Sequence, residues 1–97
     1  MGQIRWSVEA QLCVDDIFQY IAGDNPQAAL RTIRGIRQQV LPLADFPEMG
    51  HRYQDSERHV RILLHGHYQI PYLVYDNRDV LILGVYHTSM DISRLGL

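Results

Sequence analysis

Apolar residues follow two different rhythms along the chain. Between Ala10 and Leu41 they recur at helical spacing, whereas from Arg58 to His87 they come in short blocks that alternate or are apolar throughout. The first rhythm predicts two helices. In the first, Ala10, Cys13, Val14, Ile17 and Ile21 form one stripe, flanked by Phe18 and Tyr20, and Leu12 is stranded among Glu9, Gln11, Asp15, Asp16 and Gln19. Ser7 is placed to cap this helix, and Glu9 falls in the first turn, where the macrodipole favours a carboxylate. The second helix presents Ala29, Leu30, Ile33, Ile36, Val40 and Leu41 as its apolar face, with Arg31 and Arg34 opposite and Arg37 inside the apolar arc. Between them, Gly23 suits a left-handed helix end, Asn25 a cap and Pro26 a first helical position, so the two helices form a hairpin. Pro42 lacks the amide donor and ends or kinks the second helix.

The second rhythm predicts strands. Gly2 to Trp6 reads as a short one, and residues 43–56 as a loop. Three more then form a meander, broken at His65-Gly66-His67 and at Asp76-Asn77-Arg78-Asp79. In its first strand Val60, Ile62 and Leu64 share one face and Arg61, Leu63 and His65 the other. The third strand, Val80 to Val85, is apolar on both faces, which predicts a central place. Pro71 cannot donate to a ladder, so a bulge or an unpaired stretch is expected there. The order β-α-α-β-β-β predicts an α+β fold: a helical hairpin packed on a small, mostly antiparallel sheet.

At 97 residues the chain is expected to be a single domain spanning 1–97, able to bury about 65% of its unfolded surface. An apolar content of 46% fits a globular protein. The lone cysteine, Cys13, on an apolar stripe, reads as a buried thiol, and with no signal-like or membrane-length segment the expected setting is cytoplasmic, with no membrane association. All nine basic residues are arginines and the net charge is -2. Nucleic-acid binders usually carry a basic field, so this balance counts against RNA or DNA as the main ligand. His65-Gly66-His67, with His59 and His51 upstream, lacks close cysteine or carboxylate partners, so neither a metal nor another cofactor is expected. The serines and Cys13 have no nucleophile motif around them.

The order of elements, with Trp6-Ser7, Ala10, Asp16-Ile17, Tyr20-Ile21-Ala22, Asn25-Pro26, Ala28-Ala29, Pro47, Gly50, Arg61, Gly66, Tyr68, Tyr72, Tyr75 and the apolar strand ending at His87, resembles the ParE/RelE toxin superfamily of type II toxin–antitoxin systems, its ParE branch most closely. The resemblance implies a RelE-like fold and a cognate antitoxin that wraps the toxin as a hetero-oligomer. It implies DNA gyrase as the target of ParE-type members, and ribosome-bound messenger RNA as that of RelE-type members.

RNA cleavage needs a base, an acid and a cation at one phosphate. Arg61 and His87, with Tyr75 or Tyr86, are the candidates, since strands of one meander can bring them together. The acidic balance favours the other target, and a gyrase inhibitor that acts by binding needs no catalytic residue. The expectation is therefore a non-enzymatic toxin, with an endoribonuclease or a toxin-fold binding module as alternatives. His87 and Arg94 are the candidate target contacts. The arginines that follow this histidine in ParE-like chains are absent from Thr88-Ser89-Met90-Asp91. Leu12 and Arg37, with the open face of the meander, are the candidate antitoxin contacts.

Overall fold

The computed structural model describes residues 2–97. A short strand β1 (Ile4–Trp6) leads into α1 (Val8–Ala22) and α2 (Pro26–Val40). A 3-10 turn, Leu41–Ala44, follows. Then come β2 (His51–Arg52), β3 (Val60–His65), β4 (Tyr68–Val74), β5 (Val80–Ile82), β6 (Tyr86–His87) and a final 3-10 turn, Ile92–Leu95. The architecture is α+β: two helices on a mixed, mostly antiparallel sheet ordered β1-β5-β4-β3-β2, with β6 paired to β4. Among the described residues the single parallel pair is β1 with β5.

The caps explain the hairpin. The Ser7 hydroxyl accepts the Ala10 amide at 3.0 Å, and the Asn25 side chain accepts that of Ala28 at 3.1 Å, each quieting one orphan donor of a helix start. Gly23 differs from expectation. Its φ of -56° is right-handed, and its amide still bonds back to Gln19, so it continues the last turn rather than reversing it. Pro42 ends α2 as expected, and the chain tightens into the 3-10 turn.

Cross-strand partners share a face of the sheet. Leu63 with Ile70, Tyr72 with Ile82 and Val74 with Val80 therefore look the same way, toward Ala10, Val14, Ile36 and Val40 of the helices. This is the main core. The opposite face is not open. Val60, Ile62, Pro71 and Leu73 are all buried, as is Ile92. The chain after His87 crosses behind the sheet: the Gln69 amide donates to the carbonyls of His87 and Met90, and the Ser56 hydroxyl bonds the Leu97 carbonyl. Of that face only Leu64, near the turn, is left exposed among β3 and β4 hydrophobics. The helix face also narrows: Leu30 and Leu41 stand exposed, because α2 meets the sheet through Ala29, Ile36 and Val40.

The third meander strand is interior but not central, a place β4 takes, and it is broken where Pro71 faces it. Tyr72 pairs Ile82 and Gln69 pairs Tyr86, so three residues, 83–85, oppose two, 70 and 71. That is a one-residue bulge. Pro71 accepts the Leu83 amide at 2.9 Å but has no proton to return, and the Leu83 carbonyl instead accepts the Ser7 hydroxyl at 3.3 Å. Among the described residues no helix is long and apolar enough to cross a membrane.

Candidate functional site: a groove between the first helix and the last strand

The bulge delivers Tyr86 and His87 to the flank of α1. There Cys13, Asp16, Ile17 and Tyr20 form one wall of an open groove of about 620 Å³, and Tyr68, Val85, Tyr86, His87 and Met90 form the other. Tyr20 is 87% exposed, an unusual state for a tyrosine on a helix with an apolar stripe. The Tyr86 ring lies back over Gly84, where any β-carbon would overlap it. Its hydroxyl is pushed up to about 12, first by burial and then by the Cys13 sulfur and the Glu9 carboxylate.

His87 is exposed and locally organised. Its Nδ1 accepts the Ser89 amide at 3.1 Å and lies 2.7 Å from the Ser89 hydroxyl. Its ring stacks on His67 with centroids 6.0 Å apart, and Tyr68 meets it edge-on at 6.2 Å. The partner at this strand end is therefore Ser89. The Asp91 carboxylate accepts the amide and hydroxyl of Ser93 at 3.0 Å and 2.6 Å, bonds that hold it below its usual range. Arg94 stands exposed on the following 3-10 turn, seven residues from His87, and makes no ion pair among the described residues.

The structure sets the candidate RNA-cleaving residues in two places. His87 pairs with Tyr68 and Arg61 with Tyr72, four positions apart on β4, or about 14 Å along the strand. The Arg61 guanidinium is occupied: Nη1 donates to the carbonyls of Gly50 at 2.8 Å and Glu48 at 3.4 Å. The same loop is held from below by buried Tyr72, whose hydroxyl donates to the Pro47 carbonyl at 2.6 Å and accepts the Gly50 amide at 2.8 Å. A smaller cavity of about 220 Å³ there gathers Arg52, His59, Arg61 and Tyr75 with Glu48 and Asp76. Tyr75 thus joins Arg61, and Tyr86 joins His87, in two separate places.

Leu12 and Arg37 are both exposed on the helical hairpin, Leu12 at 53%. Arg37 lines a cleft of about 340 Å³ between the helices with Trp6, Gln11, Val14 and Asp15. His65 and His67 diverge. The His65 ring comes within 3.1 Å of where a β-carbon on Gly35 would stand, while His67 turns to His87. Sequence reasoning missed Cys13 beside Tyr86, the Tyr72–Gly50–Pro47 bonds and the Ser89 contact. The Ser89 contact alone had a local signal, a hydroxyl two residues after a histidine.

The whole is a helical hairpin laid on a sheet of this order, with its last strand opening onto the first helix. The solved structure described as "Chromosomal ParDE TA system from P. aeruginosa" superposes on it with a TM-score of 0.71 at 26% identity, covering 90% of this chain and 96% of that one. "Putative toxin Y4kP" of Sinorhizobium fredii (strain NBRC 101917 / NGR234) is 36% identical over 85 residues, which are 88% of this chain and 86% of that protein. The model of the family described as "ParE toxin of type II toxin-antitoxin system, parDE" matches residues 4–92. The chain belongs to this ParE toxin family.

Proposed function

We propose that this toxin acts on DNA gyrase by binding it, without bond-breaking chemistry of its own, and that a cognate antitoxin neutralises it in a hetero-oligomeric complex in the cytoplasm. Family membership supports the toxin role. The observation that favours binding over catalysis is the distance of about 14 Å along β4 between the Arg61 and His87 positions, against the roughly 3 Å reach that general acid–base chemistry needs. His87 and Arg94 are the proposed target contacts, and Leu12 and Arg37 the proposed antitoxin contacts. Purified toxin should inhibit supercoiling by gyrase or accumulate cleaved DNA, and its expression without a partner should slow growth. Folded protein that does neither defeats the gyrase reading. His87→Ala and Arg94→Ala should each weaken inhibition about fivefold or more while leaving antitoxin binding intact.

One observation favours a second reading. Arg52 and Arg61 are directly opposed across β2 and β3, and His59 and Tyr75 line the same cavity beside the carboxylates of Glu48 and Asp76. A ribosome-dependent endoribonuclease working there would produce new cuts in translated messages by primer extension, and Arg61→Ala would abolish them.

A further inference from the structure

The helical hairpin separates its charges by helix. Residues 8–22 carry Glu9, Asp15 and Asp16 and no basic residue, while residues 26–40 carry Arg31, Arg34 and Arg37 and no acidic one. All six are exposed, and none is in an ion pair among the described residues, where the pair found is Arg78 with Glu48. Arg31, Arg34 and Arg37 follow one another at three-residue spacing, so each repels its neighbour along the helix. Between the charges lie apolar side chains that the core leaves out: Val8 and Leu12 on α1, and Leu30 on α2 with Leu41 just beyond its end. At helical spacing Asp15, Arg31 and Arg34 fall on the side of the hairpin turned away from the sheet, while Glu9 and Asp16 stand on the flank of α1 beside the groove, so an acidic helix runs beside and antiparallel to a basic one.

We infer that this face binds a second copy of the chain through a two-fold axis parallel to the helices. The charges select that axis. A two-fold lying in the interface and perpendicular to the helices would set α1 on the partner's α1 and α2 on the partner's α2, like on like. A two-fold parallel to them sets α1 antiparallel on the partner's α2, twice, so that Asp15 on each acidic helix meets the arginines of a basic one and Leu12 meets the apolar margin of the partner's α2. The result is a self-complementary isologous contact. Two helices of fifteen residues present a face roughly 22 Å by 20 Å, on the order of 1,000 Å² over both copies, which is at the low end for a specific interface. The dimer is accordingly weak, reversible and salt-sensitive. Because Leu12 and Arg37 lie on the same face, an antitoxin seated there and a second copy exclude each other.

Sedimentation velocity of the purified chain from about 10 μM to about 1 mM tests this, in a concentration range suited to so small an interface. Wild-type protein should move from monomer to dimer across the range at low salt. Raising salt from roughly 30 mM to roughly 300 mM should weaken association about tenfold. Asp15→Arg/Asp16→Arg makes both helices basic and Arg31→Glu/Arg34→Glu makes both acidic, so each variant alone should stay monomeric. Mixed in equal amounts they should form a heterodimer, since each supplies the stripe the other lost. Wild-type protein that stays monomeric, a reversed variant that still self-associates, or a folded mixture that fails to associate overturns the inference. So does a wild-type monomer whose antitoxin binding vanishes on reversal of α2, which gives the face to the antitoxin. If a reversed variant loses its helical circular dichroism, Asp16→Asn and Arg34→Gln serve instead. Each should weaken wild-type association several-fold and flatten its salt dependence, and an unchanged profile in both overturns the inference equally.

Discussion

Tyr72→Phe removes one oxygen atom from the centre of the molecule. The ring is fully buried, and its hydroxyl serves two backbone groups of the loop that precedes β2: the Gly50 amide at 2.8 Å and the Pro47 carbonyl at 2.6 Å. Both residues are buried, so neither group finds solvent when the hydroxyl is gone. An unsatisfied buried polar group costs about 1–3 kcal/mol. Two such groups set the expected loss at roughly 2–4 kcal/mol, because the Arg61 bonds to Gly50 and Glu48 still restrain the loop. The phenyl ring keeps the packing, so no cavity contribution enters. For a domain of this size such a loss lowers Tm by roughly 10–25 °C. Urea unfolding should show the midpoint falling with an unchanged slope, which separates lost stability from a changed denatured state. Tyr75→Phe, at an exposed tyrosine, is the control and should be near neutral. A loss below about 0.5 kcal/mol for Tyr72→Phe would refute the reasoning, by showing that the loop finds other partners.

Gly84→Ala should displace the Tyr86 ring at a cost of about 1–3 kcal/mol, and ultraviolet titration should show the Tyr86 hydroxyl falling back toward 10. Arg78 sits at φ 71°, so Arg78→Gly should be more stable than Arg78→Ala by about 1 kcal/mol in denaturant melts. Both variants lose the exposed pair with Glu48 equally, so the difference isolates the backbone. Tyr86 and Tyr72 both titrate higher folded than unfolded, so their contribution is complete below pH 10 and is lost as pH rises above it. Urea midpoints should therefore fall from pH 10 toward 12, and Tyr86→Phe should flatten part of that fall; midpoints that rise would contradict the sign.

Much of the fold is written in local chemistry. Ser7, Asn25 and Pro26 act through atoms within a few residues of themselves, and they mark the helix starts from sequence alone. Pro71 announces an irregular ladder because the missing amide is a property of the residue. The rest depends on what the surrounding structure supplies. Gly23 keeps a right-handed turn because its amide reaches Gln19, which a glycine's freedom neither requires nor forbids. β2 is two residues long, too short for alternation to register, and exists because β3 offers an edge. The open back face expected of the meander is closed by residues 88–97, whose course behind the sheet is fixed by Gln69 and Ser56. For the site, adjacency in sequence kept Tyr86 with His87, but register placed Arg61 elsewhere. That register follows from the tight turn at Gly66-His67 and the bulge opposite Pro71, which together fix how far apart the two positions fall on β4.

The bulge opposite Pro71 makes the groove depend on counting as well as on chemistry. With three residues against two, His87 falls opposite Tyr68 and Tyr86 opposite Gln69. Removing any one of residues 83–85 would leave two residues opposing two, so the bulge would vanish while Tyr86 stayed opposite Gln69 and His87 opposite Tyr68. The extra residue therefore sets the local bend of the strand and not its partners. A relative with every groove residue intact but one residue fewer in that spacer would keep the pairing and lose the bend, and would carry the same side chains at a different angle to the first helix.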